Sequence, residues 1–216
     1  MTFILSALRD DVEAELGDSG NLVWTTAEVD AAIARAKERY DTVSPLQQSA
    51  TLTVTGRTAD LSAAAPTGLG TTAYAALLRV VAAEYPVSQW PPAYVRHEVY
   101  GSTLTLHTAS ALAAASVKVF YEILHTLGAT GDIPDRDRQL MVIGGAAYAL
   151  QYRAQELAET VNTDRSTHAT VLRNADARFA AFEEGLKRLG DRVRSRTLYR
   201  PEDPYLNSRD VVDFPS

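Results

Sequence analysis

The chain has 216 residues, 46% of them hydrophobic, with a formal net charge of −6 and no cysteine. That size can bury a substantial core, and the missing cysteines exclude disulfides, thiolate metal sites and a thiol nucleophile together. The acidic balance excludes a generic polyanion-binding surface, because duplex binding needs clustered lysine and arginine.

In chain order, Ile4, Leu8, Val12 and Leu16 fall at steps of four. They predict a short amphipathic helix over 4–16, stopped by Gly17. Thr25 and Glu28 then form a capping box, with Trp24 and Val29 at the staple positions, opening a helix over 26–42. Its apolar face is Val29, Ile33, Ala36 and Tyr40, and it stops near Pro45. From Ser49 the period becomes two: Ala50, Leu52 and Val54 alternate with threonines, and Gly56-Arg57 can turn this strand into Thr58 to Leu61. Leu78, Val80 and Ala82 form a further strand ending at Pro86. Arg96 to Tyr100 and Thr103 to Leu106 read as a hairpin about Gly101-Ser102. The alanine-rich stretch 109–115 reads as a linker or weak helix, and Val117, Val119, Tyr121 and Ile123 as a last strand, closing a small β-region over about 49–124.

The strongest periodicity follows. Leu140, Ile143, Ala147, Leu150, Ala154, Leu157 and Val161 recur at alternating steps of three and four. Leu172, Ala175, Phe179, Phe182, Leu186, Leu189 and Val193 repeat the stepping. Helices over about 135–161 and about 166–194, joined through the turn chemistry of Asn162 to Ser166, should fold as a long antiparallel hairpin. The expected fold class is therefore α+β but mainly α: a helical bundle with a small antiparallel β-region inserted between its helices. It forms one domain over 1–196, followed by an extended C-terminal arm over 197–216.

Reaction chemistry is hard to find. His97-Glu98 begins a zinc-peptidase pattern, but position 101 is glycine where the second histidine belongs, and His107, His125 and His168 lack acidic neighbours at metal spacing. The glycine-rich run Thr67 to Thr72 lacks the lysine of a phosphate loop and reads as a flexible loop. No catalytic, metal or cofactor residue is nominated. No run approaches the 18 apolar residues of a membrane span, and Met1 to Leu5 leads into Arg9-Asp10-Asp11 without a basic leader, so a soluble intracellular protein is expected.

Two features invite a partner. Gly144 and Gly145 lie inside a helix, at a cost of about 1 kcal/mol each relative to alanine, so a backbone should approach closely there. That neighbour is either the hairpin's other helix or a second subunit. Beyond the basic end of the last helix, from Lys187 to Arg200, the arm carries Tyr199, Pro201, Tyr205, Val211, Val212 and Phe214 as aperiodic anchors among Glu202, Asp203, Asp210 and Asp213. Such a segment orders on a partner, and Val211-Val212 can add a strand to a sheet edge.

The run Trp24-Thr-Thr-Ala-Glu-Val, the strand Val119-Phe120-Tyr121-Glu122, and Ile133-Pro134 ahead of Gly145-Ala146-Ala147-Tyr148-Ala149-Leu150 together resemble the head-to-tail adaptor (connector) proteins of tailed bacteriophages and gene transfer agents. The similarity spans most of the chain in element order. It implies a structural virion neck protein, made in the host cytoplasm and assembled as a dodecameric ring. Portal protein would sit on one side and a tail or nozzle protein on the other, with DNA passing the bore without sequence-specific contact. This chain departs from shorter family members in its longer β-region and tail. Two other readings stay open. One is a small intracellular enzyme or ligand-binding protein with Tyr94, His97 and Glu98 as its site, and the other is a coiled-coil regulator dimerising through the heptads.

Overall fold

The computed structural model describes residues 4–18, 20, 22–128, 131–159 and 165–197, with Arg165 and the last five of these by backbone alone. Their contacts gather into two compact units. One runs to Pro45 and resumes over His125–Arg194; the other is Leu46–Leu124.

The helical unit begins with α1 (Leu5–Leu16), which ends on Gly17 in the left-handed region at φ 71°. A Cβ is disfavoured there, which is why glycine terminates helices so often. Helix α2 (Thr26–Asp41) starts on a complete capping box, with Thr25 and Glu28 satisfying each other's backbone amides. Its Val29, Ile33, Ala36 and Tyr40 are fully buried. A 3-10 turn (Asp135–Asp137) leads into α4 (Arg138–Glu159), and α5 (Arg165–Thr197) follows. Gly185 of α5 faces Leu140, Phe182 faces Gly144, and the Phe179 ring stands edge-on to Tyr148 at 4.8 Å. These pairs run in opposite sequence directions, so α4 and α5 are antiparallel. Helix α4 is buried beyond a single heptad stripe, because Gly145 on another face meets Val12 of α1 and Ile33 of α2. On α5 the stripe narrows: Ala175, Phe182, Leu186 and Leu189 are buried, Phe179 is half-buried and Leu172 is exposed.

The sheet unit overturns the expected fold class. Strands β1 (Leu46–Gly56), β2 (Thr58–Asp60), β3 (Leu77–Glu84), β4 (Tyr94–Val95), β5 (His97–Tyr100), β6 (Thr103–Leu106) and β7 (Leu112–Ile123) form one antiparallel sheet in the order β4-β3-β7-β1-β2-β6-β5. It is nearly closed and barrel-like, and the protein is an α+β fold with 47% helix and 25% strand, not a mainly helical bundle carrying a small β-region. The physical reason is that β7, last in sequence, enters the middle of the sheet and pairs with both β1 and β3. Separate hairpins are thereby fused around a core of their own that includes Leu52, Val54, Leu61, Leu104, Leu106, Val117 and Val119.

Three local expectations fail for related reasons. The supposed linker 109–115 contributes its second half to β7, where Leu112 opposes Gly56 and Ala115 opposes Val54; Ala114 sits at φ 51° where the register slips. Alanine's weak strand preference is overridden by pairing. On β3, two irregularities between Leu77 and Ala82 shift the inward face, leaving Leu78 48% exposed and burying Ala83 and Glu84. Finally, the glycine-rich run is packed, and it carries α3 (Thr71–Ala75). A Cβ on Gly68 would lie 2.3 Å from the Ala63 carbonyl oxygen and 2.4 Å from that of Asp60, so this position requires glycine for close backbone approach.

Candidate functional site

The most elaborate polar chemistry lies inside the helical unit, where α2 ends. Asp41 is 2% exposed, and its carboxylate accepts from Lys37 Nζ at 2.7 Å and from the backbone N–H of His125 at 3.2 Å; His125 Nδ1 lies 2.7 Å away. Burial by itself would raise the Asp41 carboxyl, but the bonds from His125 and Lys37 outweigh it and hold the group below the usual carboxylate range. Beside it, the Tyr40 hydroxyl donates to Asp137 at 2.9 Å, and the Tyr40 ring stands edge-on to His125 at 5.3 Å. Burial, and then the Asp137 charge, push the Tyr40 phenol well above its ordinary value. Arg136 and Arg192 approach Asp137 at 3.6 Å each. Every acid here has a cation or a hydroxyl on it, so the cluster ties the end of α2, the segment at His125 and the 3-10 turn together.

The sequence could not have announced this cluster, because Asp41 and His125 are 84 residues apart. The one local cue was an acid at each of two element ends, Asp41 closing α2 and Asp137 closing the 3-10 turn.

The two glycines proposed for subunit packing face their own chain. Both are buried, and a Cβ on Gly144 would stand 2.7 Å from the Phe182 ring. One on Gly145 would stand 3.0 Å from Val12 and 3.2 Å from Ile33. Their close approaches are met within the helical unit, by the other helix of the hairpin at Gly144 and by α1 and α2 at Gly145. The partner-docking residues Tyr199, Pro201, Tyr205, Val211, Val212 and Phe214 lie outside the described residues.

Of the alternative site, Tyr94 and Glu98 are exposed on β4 and β5, and His97 Nε2 lies 3.4 Å from the Val80 carbonyl oxygen while Glu98 meets His107 at 3.3 Å. His97 is thus turned to a backbone carbonyl, and the three do not converge on one point. Two shallow depressions mark the helical unit, one of about 440 Å³ lined by Arg35, Arg39, Tyr148 and Tyr152 among others. The other, of about 650 Å³, is lined by Asp11, Glu15, Arg136 and Arg138 among others. Their charges are largely paired, as in Arg39 with Glu183 and Arg138 with Asp11. Among the described residues no cluster could hold a metal ion, and no helix is long and apolar enough to cross a membrane. No protein-family model matches the chain, and it has no match among the curated proteins compared.

Proposed function

We propose that this chain is a structural neck protein of a virion. It assembles as a ring, with twelve copies as the expected number, between a portal protein and a tail or nozzle protein, and lets DNA pass without reading it. The reading includes no catalytic step and no cofactor. One observation supports it: two of the stretches that resemble head-to-tail adaptors, residues 24–29 and 133–150, lie far apart in sequence and pack together in the helical unit, while the third, 119–122, belongs to β7 of the sheet unit. Trp24, which opens the first of them, donates its indole N–H to the Ala149 carbonyl in the last of them at 3.3 Å, Ile133 is fully buried, and Gly145 receives Ile33 from the helix that Trp24 introduces. A net charge of −6 agrees with a bore that does not grip phosphate. In this reading Tyr199, Pro201, Tyr205 and the Val211 to Phe214 segment extend the ring towards its partners.

The test is direct. Purified chain mixed with the portal protein encoded beside its gene should give stacked rings by electron microscopy, and deletion of 197–216 should abolish portal pull-down while leaving the melting temperature of the subunit nearly unchanged. Equal pull-down by the truncated chain would remove the arm from the docking role. A chain that stays monomeric with portal present would sink the ring.

A further inference from the structure

The sheet stops short of closing along one seam, between β3 and β5. Strand β4 pairs with β3 only at Ala83↔Val95 and Glu84↔Tyr94, so the Leu77–Ala82 part of β3 has no strand on that side among the described residues. At the other end of the strand order, β5 pairs with β6 alone among the described residues. Arg96 accepts from His107 N–H, and with antiparallel pairs alternating, Glu98 and Tyr100 turn their backbone groups to β6 while His97 and Val99 turn theirs outward. His97 is held where its ring meets Val80, but past it no described strand covers the seam: Val99 is 42% exposed, Leu78 48% and Tyr100 90%. Unpaired strand groups flanked by exposed apolar side chains form a template for one more strand.

A matching segment lies in the chain itself. Nineteen residues follow Thr197, and among them Arg209-Asp210-Val211-Val212-Asp213-Phe214 combines a β-branched pair with flanking acids. This arm carries four carboxylates against two arginines. Beside the bare edge stands Arg96, exposed and without an ion-pair partner among the described residues. From Thr197 to Val211 an extended chain can reach up to about 46 Å.

We propose that residues 209–214 of one copy add a strand to the β5 edge of a second copy, closing the seam in trans, with Asp213 or Asp210 against Arg96. This rests on the ring reading, since a ring in which every copy gives an arm and receives one closes on itself. It leaves Tyr199, Pro201 and Tyr205 for the portal.

The absence of native cysteine makes the test clean. Full-length V99C and V212C proteins are sized by light scattering, mixed and oxidised, with V99C plus L22C as the control pair, Leu22 being 90% exposed on the helical unit. The expected result is a mixed disulfide between V99C and V212C at roughly 10-fold or more the control yield, because neighbouring segments meet at high effective concentration. R96D should lower that yield, and D213R in the partner should restore it. Rings that form without the mixed disulfide overturn the arm exchange and leave the ring reading standing, as does a V99C/V212C double variant that closes only within a monomer. Monomers throughout, with no disulfide between chains, overturn both.

Discussion

The helical unit and the sheet unit solve the same burial problem with different finish. In the helical unit the apolar stripes are consumed by neighbours and the rim is laced by ion pairs that join one helix to another: Arg9 to Asp30, Arg39 to Glu183, Arg138 to Asp11 and Arg178 to Glu15. In the sheet unit the core is just as well sealed, yet more large apolar side chains are left on the periphery. Of ten large hydrophobic side chains exposed among the described residues, six lie in Leu46–Leu124, with Trp90 at 92% and Tyr100 at 90%. A cross-linked rim closes a surface, whereas an apolar rim beside unpaired strand groups keeps one open to a partner.

The largest effects should come from the two cores, which should prove equally intolerant. Phe182 is fully buried and fills the space that Gly144 leaves, so Phe182→Ala should cost about 3–5 kcal/mol in chemical denaturation, and Leu104→Ala in the sheet about 2–5 kcal/mol. A sheet core that yielded far less would mean that its residues can collapse on one another. Phe179→Ala should fall below Phe182→Ala, since its ring is only half-buried.

The glycines should separate the units more sharply. Gly68 faces backbone carbonyls that cannot move alone, so Gly68→Ala should lose about 1–3 kcal/mol. Gly145 faces the ends of Val12 and Ile33, and alanine there gains up to about 1 kcal/mol of helix propensity, so Gly145→Ala should melt close to wild type. Reversal of that order would show that side-chain packing around α4 is the more rigid of the two.

Acid should find the helical unit first. The Asp41 carboxyl titrates below its unfolded value, so the stability it confers is present above the ordinary carboxylate range, about pH 3.9, and is lost as pH falls through the lowered folded value. Melting temperature between pH 7 and pH 3 should therefore fall less steeply in Asp41→Asn, from a lower start. Identical slopes would remove Asp41 from the acid response. The smallest effect belongs to Arg35, exposed and 3.5 Å from Glu38: Arg35→Ala should leave the melting temperature indistinguishable from wild type.

Legibility followed the range of the interaction. The capping box at Thr25, the Gly17 stop, the Gly56 and Gly101 hairpins and the buried Leu186 and Leu189 could all be read from the sequence, because each depends on residues within a turn or two. The Asp41 to His125 bond could not, nor could the destination of Gly144 and Gly145, since periodicity reports that a face is buried and never against what.

Sequence by itself determined where the longer helices lie, where most strands alternate and that two glycines need a close neighbour, because these follow from local sterics and the periods 3.6 and 2. Only the tertiary structure decided that β7 returns to the centre of the sheet and draws alanines into it. It alone decided that bulges turn Leu78 out and Ala83 in, and that the glycines meet Phe182, Val12 and Ile33 of the same chain. Strand order and register are set by pairing between residues dozens of positions apart. That pairing, not local preference, turned the expected small β-insertion into a seven-strand sheet with a core and an open edge of its own.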